Sequence, residues 1–141
     1  GQPVLDSGYR HDVSHEVSVA DTTHPITADV DETFSLTDEL YLYEVFEDDI
    51  EPLLTSAHTF NREHFFSAYH AVTGNMFCND NWPHPDGSSL IGWTKNEGQS
   101  RIAYLQPGDG PETFASGQYR QLLENAIRWA AGCGTESALN D

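Results

Sequence analysis

The last third of the chain contains the pattern that most restricts its fold. An apolar-rich run at residues 89–95 is followed by a turn at 96–99 and a second run at 101–106. The β-branched and aromatic residues on either side of a glycine-containing turn indicate a β-hairpin. Further along, apolar side chains recur with helical spacing at Tyr119, Leu122, Leu123, Ala126, Ile127 and Ala130. The sequence therefore predicts a hairpin followed by an amphipathic helix, with Ser116 as its N-cap and Gly132 just beyond its end.

A glycine-rich loop joins the predicted hairpin to the predicted helix. Residues 107–114 are Pro-Gly-Asp-Gly-Pro-Glu-Thr-Phe. In open α/β sheets ligands bind where strands end and helices begin, so function should be sought here first. Gly108 and Gly110 would let backbone N–H groups face a ligand. Asp109 could accept hydrogen bonds from sugar hydroxyls or hold a divalent cation, and the alternative is that the loop only forms a turn.

Several blocks of the sequence resemble the trehalose-utilisation (ThuA-like) family. Residues 108–114 and 119–132 resemble the family's final loop and helix, in which Gly-His-Asp-x-Glu-Thr-Phe precedes x-Arg-x-Leu-Leu-x-Asn. Residues 24–27 (His-Pro-Ile-Thr) and 37–42 (Thr-Asp-Glu-Leu-Tyr-Leu) resemble two upstream blocks in the family's order. The loop departs from the family pattern where Asp109 stands in place of histidine.

The resemblance implies an α/β fold of the flavodoxin-like, class I glutamine-amidotransferase-like kind, a three-layer sandwich around a mostly parallel sheet. A typical family domain is longer and begins with a βαβ half that residues 1–14 do not supply, so the chain resembles the carboxyl-terminal portion. We expect an N-terminal arm over 1–14, the ThuA-like domain portion over 15–132 and a loose tail over 133–141. A homo-oligomer, or a partner chain, would cover the sheet edge that the absent half leaves exposed.

Two candidate sites for acid–base chemistry lie upstream of the hairpin. Asp38 and Glu39, with Tyr41 nearby, fall in a segment (37–40) that the sequence predicts as one helical turn or a tight bend. Paired carboxylates can act as acid and base where burial separates their pKa values; the alternative is helix capping and surface charge. His24, which precedes a proline, is a candidate general base or ligand, and its alternative is a hydrogen bond to a backbone carbonyl.

Residues 57–88 form a long segment of aromatic and histidine residues without a simple period. Trp82 and His84 lie at its centre, and aromatic faces beside imidazole and carboxylate groups suit carbohydrate recognition. The alternative is a loop that packs over the sheet with its own aromatic residues. The histidines have no zinc-site spacing and no Gly-x-Ser-x-Gly nucleophile motif is present, so we predict neither a metal nor another cofactor, and no covalent catalysis.

The strongly negative charge of the chain disfavours negatively charged partners. Six basic residues face 23 acidic ones, for a formal net charge of −17. Such a field repels phosphate backbones and anionic lipids, so we expect neither nucleic acid nor membrane partners. Two distant cysteines, Cys78 and Cys133, have no redox or metal spacing; free thiols and a cytoplasmic location are expected, although a disulfide is the alternative.

Together these features predict a protein of trehalose or related disaccharide utilisation that binds or modifies a sugar derivative. The predicted catalytic residues are His24, Asp38, Glu39 and Asp109, and the predicted substrate contacts are Tyr41, Trp82, His84, Gly108 and Gly110. The alternatives are a non-catalytic interaction module and a fragment without a full site. The prediction requires Asp38 and Asp109 to converge on one concave surface.

Overall fold

Antiparallel pairing joins every strand found between residues 6 and 133, the part of the chain that the computed structural model describes. The strands in chain order are β1 Gly8–Val19, β2 Thr33–Leu42, β3 Glu51–Ser56, β4 Phe66–Ser67, β5 Leu90–Glu97 and β6 Ser100–Leu105. The α-helices of this part are α1 Ala68–Val72, α2 Pro111–Ala115 and α3 Gly117–Ala130. Short 3-10 turns occur at Pro25–Thr27, Glu47–Asp49 and Arg62–His64.

The sheet has the strand order β2-β1-β3-β5-β6, and β4 pairs with the start of β1. The expected flavodoxin-like sandwich with a mostly parallel sheet is therefore wrong. Neighbouring parallel strands need a crossover of a dozen or more residues, usually a helix. In the described part of the chain the longest helix before the last strand is the five-residue α1, and the 14-residue α3 follows β6. The described connections between strands therefore contain no helix long enough to act as such a crossover, and each strand pairs antiparallel with its neighbours.

The sheet curls into a half-barrel, because its two outer strands meet at one end. The side chain of Gln106, just after β6, accepts a hydrogen bond from the Tyr41 backbone N–H (3.0 Å) and donates one to the Tyr43 hydroxyl (3.2 Å). The hydroxyls of Tyr43 and Tyr104 lie 2.5 Å apart. These bonds join β2 and β6, which stand at opposite ends of the strand order.

Alternating side chains of β2 enter the core, and this pattern shows that a second expectation, a helical turn or bend at 37–40, is wrong. The segment 37–40, expected as a helical turn or bend, is the middle of β2, because Leu36, Asp38, Leu40 and Leu42 are all buried while the residues between them are more exposed. A period of two is the signature of a strand with one covered face. The core also contains Val17, Ile26, Leu53, Leu54, Ile91 and Leu122, each no more than 1% exposed.

The predicted hairpin and final helix are confirmed. β5 and β6 pair across a two-residue turn in which Gly98 has φ +57°, a conformation that glycine adopts without strain. The hydroxyl of Ser116 accepts the Tyr119 N–H (3.3 Å) as the N-cap of α3, and Gly132 (φ +73°) follows its C-cap. Tyr119, Leu122 and Ala126 are the buried residues of α3, whereas Ile127 is 63% exposed.

Residues 8–14, expected as part of the N-terminal arm over 1–14, form the first half of β1. The predicted tail lies outside the described residues except for Cys133, which is free, as is Cys78. Among residues 6–133, no helix has the length and apolar character needed to cross a bilayer.

Candidate functional site

The carboxylate of Asp38 fixes the glycine-rich loop to the sheet. One oxygen accepts the N–H of Gly108 at 2.6 Å, with the Asp109 N–H farther away at 3.4 Å. The other oxygen accepts the N–H groups of Gly110 (3.0 Å) and Glu39 (2.8 Å). We call Asp38 and the backbone of residues 108–110 the latch. Both oxygens are occupied, so the latch leaves this carboxylate little capacity to bind anything else.

Burial and hydrogen bonding act in opposite directions on the latch carboxylate. Asp38 is 4% exposed, and burial by itself would raise its pKa. The Thr113 hydroxyl and the N–H groups of Gly108, Glu39 and Gly110 outweigh that effect, so the pKa of Asp38 lies below its ordinary value. The group is therefore a stable carboxylate, and a poor proton donor at neutral pH.

A β-bulge in β1 brings two further polar residues beside the latch. The register of β1 against β2 passes from Arg10 opposite Leu40 to Val13 opposite Asp38, so β1 contains one extra residue there. Asp12 has φ +53°, in the left-handed region that Asp tolerates better than most residues. Bulges re-aim side chains and are common beside active sites. Here the bulge places His11 and Asp12 on the wall of a pocket.

The acidic pocket, as we call it, has a volume of about 190 Å³ and lies between the bulge, β2 and the glycine-rich loop. Its wall consists of His11, Asp12, Thr37, Asp38, Glu39, Asp109, Gly110 and Glu112. Glu39 is held by two side chains: Nε2 of His11 lies 3.2 Å from one oxygen, and the Tyr41 hydroxyl donates to the other at 2.7 Å. Its side chain is 14% exposed.

Tyr41 remains a neutral hydrogen-bond donor. Burial raises its pKa, and the hydrogen bond to Glu39 together with the charges of Glu39, Asp109 and Asp38 raises it further. The carboxylates of the pocket accept hydrogen bonds but cannot donate them when ionised. The pocket therefore suits a ligand that is rich in donors, such as a polyol or a cation.

A larger groove continues from the acidic pocket. It has a volume of about 580 Å³, and its lining includes Thr37 and Glu112, which both cavities share, together with Ser14 and Ser35. The two cavities together provide room for a ligand larger than a few water molecules, each of which occupies about 30 Å³. Among residues 6–133, no group of three or more His, Cys, Asp or Glu side chains is placed to hold a metal ion.

The structure brings several of the predicted site residues together. Asp38, Glu39, Asp109 and Gly110 all line the acidic pocket. Tyr41 reaches it through its bond to Glu39, and Gly108 holds the loop through the latch. The Asp-Glu pair and the glycine-rich loop thus share one concave surface, although the sheet beside them is antiparallel.

Three predicted site residues lie elsewhere. Nδ1 of His24 accepts the Ile26 N–H (3.1 Å) and caps a 3-10 turn, and its ring packs on Trp129. Trp82 is 5% exposed and lies inside the core, so its ring is covered by protein. His84 is equally buried and lines a different cavity near Tyr43. These positions favour a structural role for all three residues.

His11, Asp12 and Glu112 also line the pocket but are not among the site residues predicted from the sequence. A signal for the first two exists, because the inward alternation of Val13, His15 and Val17 is preceded by three consecutive polar residues at 10–12. Such an interruption is typical of a bulge or an edge irregularity. Glu112 follows the glycine-rich loop directly, and only the folded loop shows that it borders the pocket.

Comparison with known proteins agrees with the resemblance seen in the sequence. The ThuA family model, described as trehalose utilisation, matches residues 6–130. Similar crystal structures include a ThuA-like protein from Bacteroides uniformis (24% identity, TM-score 0.57) and one from Parabacteroides merdae (19% identity, TM-score 0.59). The matches cover 87% and 96% of this chain but 45% of each of those chains. At these identities the likeness shows a shared fold. No curated protein matches the chain significantly.

Proposed function

Because this chain belongs to the ThuA (trehalose utilisation) family, we propose that it binds a sugar or sugar derivative in the use of trehalose or a related disaccharide. We place the binding site in the acidic pocket. The observation that carries this proposal is the position of Glu39, which His11 and Tyr41 hold in place on the same concave surface as Asp109.

The chemistry of the pocket supports a neutral, hydroxyl-rich ligand. Its free acceptors are carboxylates, which bind hydroxyl donors strongly through charge-assisted hydrogen bonds. Asp109 takes the place of the family's histidine and supplies the carboxylate acceptor of the loop. In this proposal Asp109 and Glu39 orient the sugar, and Glu39 is the group available for acid–base chemistry, with Tyr41 and His11 fixing its orientation.

Calorimetric titration of the chain with trehalose tests this site, with Glu39→Gln and Asp109→Asn as the informative variants. Each substitution keeps the shape of the side chain and removes its charge. We expect at least about tenfold weaker binding, since a charge-assisted hydrogen bond is typically worth about 1.5–3 kcal/mol. Glu124→Gln is the matched control, because Glu124 is exposed on α3, outside the pocket wall, and pairs with Arg128. Equal affinity in parent and both variants would place the site elsewhere.

A second candidate function, association of two copies of the chain, is favoured by the outer edge of β6. Among the strands of residues 6–133 this one pairs only with β5, and a groove of about 500 Å³ runs between β6 and α3. Ile102 and Ile127 in this groove are 39% and 63% exposed. Light scattering over a range of concentrations tests it. Salt should strengthen a dimer of such acidic chains by screening their repulsion, and a monomer at every concentration and salt level rejects it.

A further inference from the structure

An exposed aromatic surface adjoins the acidic pocket at His11. Phe77 and Met76, in the loop between α1 and β5, are 57% and 49% exposed. The Phe77 ring meets the His11 ring edge-on, with 5.9 Å between their centroids. On its other side His11 lies 3.2 Å from Glu39, so the pocket and the aromatic surface are continuous.

The fold holds the Phe77 ring outward at a conformational cost. Phe77 has φ +57°, where a bulky side chain is disfavoured. Its backbone N–H donates to the hydroxyl of Tyr9 (2.9 Å), which is itself buried, and its ring packs against Phe66 with 5.6 Å between centroids. A ring that serves only to fill space would be expected to turn inward. Strained residues of this kind are often found at binding sites.

We propose that Phe77 is a stacking platform for the second ring of a neutral disaccharide whose first ring occupies the acidic pocket. This inference rests on the proposed function and extends it. The C–H face of a sugar ring suits an exposed aromatic face, while hydroxyls suit the carboxylates of Glu39 and Asp109. The His11 imidazole lies between Phe77 and Glu39, so a monosaccharide at the carboxylates leaves Phe77 free. The net charge of −17 disfavours an anionic occupant.

The test compares trehalose with glucose by calorimetric titration of the parent chain and of Phe77→Ala. We expect trehalose to bind about 3- to 10-fold more weakly to the variant, the range that one aromatic contact supplies, and glucose affinity to stay unchanged. Phe46→Ala is the control, because Phe46 is 65% exposed in the connection between β2 and β3 and is not in the pocket wall. It should leave both affinities unchanged.

A second variant, Phe77→Gly, separates binding from folding. Glycine adopts φ +57° without strain but loses the ring contact with Phe66, so the melting temperature should change little while trehalose affinity falls as in Phe77→Ala. Unchanged trehalose affinity in both Phe77 variants, in a protein whose binding Glu39→Gln weakens, overturns the platform and leaves the pocket intact. If the parent chain binds neither trehalose nor glucose, both the proposed sugar site in the acidic pocket and the proposed stacking role of Phe77 are overturned. A changed oligomeric state with unchanged sugar affinity also overturns the platform, because the surface would then contact protein.

Discussion

Asp38 and Glu39 are neighbours in the sequence and carry the same functional group, yet the structure gives them opposite surroundings. Asp38 belongs to the latch, where backbone N–H groups occupy both of its oxygens. Glu39 is held from two sides by His11 and Tyr41 but faces an open pocket. Alternation along β2 explains the different burial, since Asp38 falls among the buried positions and Glu39 among the more exposed ones, although both border the acidic pocket.

The contrast separates residues that shape the pocket from residues that can act in it. A buried carboxylate with all its acceptor positions filled stabilises the loop, and its charge is already balanced by dipoles. A carboxylate with an accessible oxygen can receive a ligand. The comparison therefore predicts that Asp38 variants lose stability, and that Glu39 variants lose binding while the fold remains stable.

The largest expected effect is that of Asp38→Asn on the free energy of unfolding. An amide presents donors to the N–H groups of the latch, so one or more of them is left buried without an acceptor. We expect a loss of about 3 kcal/mol, measured by urea denaturation. Glu39→Gln is the matched control, with a change of less than about 1 kcal/mol because the glutamine oxygen can still accept the Tyr41 hydroxyl and His11 is 44% exposed. Equal losses in the two variants would remove the distinction between latch and pocket.

The next effect concerns the glycine that the latch binds most closely. Gly108 has φ +141°, and an added Cβ would lie 2.8 Å from the Tyr119 hydroxyl, which donates to the carbonyl of Pro107. Gly108→Ala should therefore lower the free energy of unfolding by about 2 kcal/mol, again in urea.

Gly117 provides the opposite case on α3. An added Cβ there meets no heavy atom within 4 Å, so Gly117→Ala should raise stability by about 0.5–1 kcal/mol through helix propensity. If Gly108→Ala is as stable as Gly117→Ala, the loop relaxes freely and the latch does not fix its conformation.

The sequence was sufficient for the elements whose signals are local. The hairpin of β5 and β6 and the helix α3 have turn glycines, a cap and a clear period, and both are confirmed. The expectation of a parallel sheet, which is wrong, rested on the family resemblance. Strand direction depends on long-range pairing, which a local sequence pattern does not encode. In β2, capping-type residues at 37–40 suggested a turn, but the alternation of Leu36, Leu40 and Leu42 decides the structure.

The site was only partly predictable for a related reason. Asp38, Glu39 and Asp109 were selected by residue type and motif, and the fold brings them together. Their unequal roles depend on hydrogen bonds between β2 and a loop 70 residues later, which no spacing in the sequence reveals. His11 enters the pocket through a bulge, a change of register that depends on the partner strand.

The smallest expected effect is the pH dependence of stability, because protonation changes the charge of a side chain but removes none of its packing contacts. Nδ1 of His15 lies 2.7 Å from the buried hydroxyl of Ser56. Burial lowers the pKa of His15, and nearby His58 lowers it further; burial also lowers the pKa of His58. In the unfolded chain both imidazoles take up protons near pH 6.5, about their ordinary pKa, so the unfolded state binds more protons below that pH. Stability should therefore decline as the pH falls below about 6.5.

Asp38 should add a separate loss in stronger acid. Its pKa is lower in the fold than in the unfolded chain, so its contribution is complete above about pH 3.9 and is lost as the pH falls through the folded value. Urea denaturation at a series of pH values should show both declines. His15→Gln should reduce the decline below pH 6.5. Asp38→Asn should reduce the more acidic one and slightly enlarge the first, because the Asp38 charge raises the pKa of His15. Glu39→Gln should retain both. If the Asp38→Asn variant keeps the acidic decline, the Asp38 carboxylate does not contribute to the pH dependence of unfolding. Asp38 and Glu39 would then differ in location but not in their effect on stability.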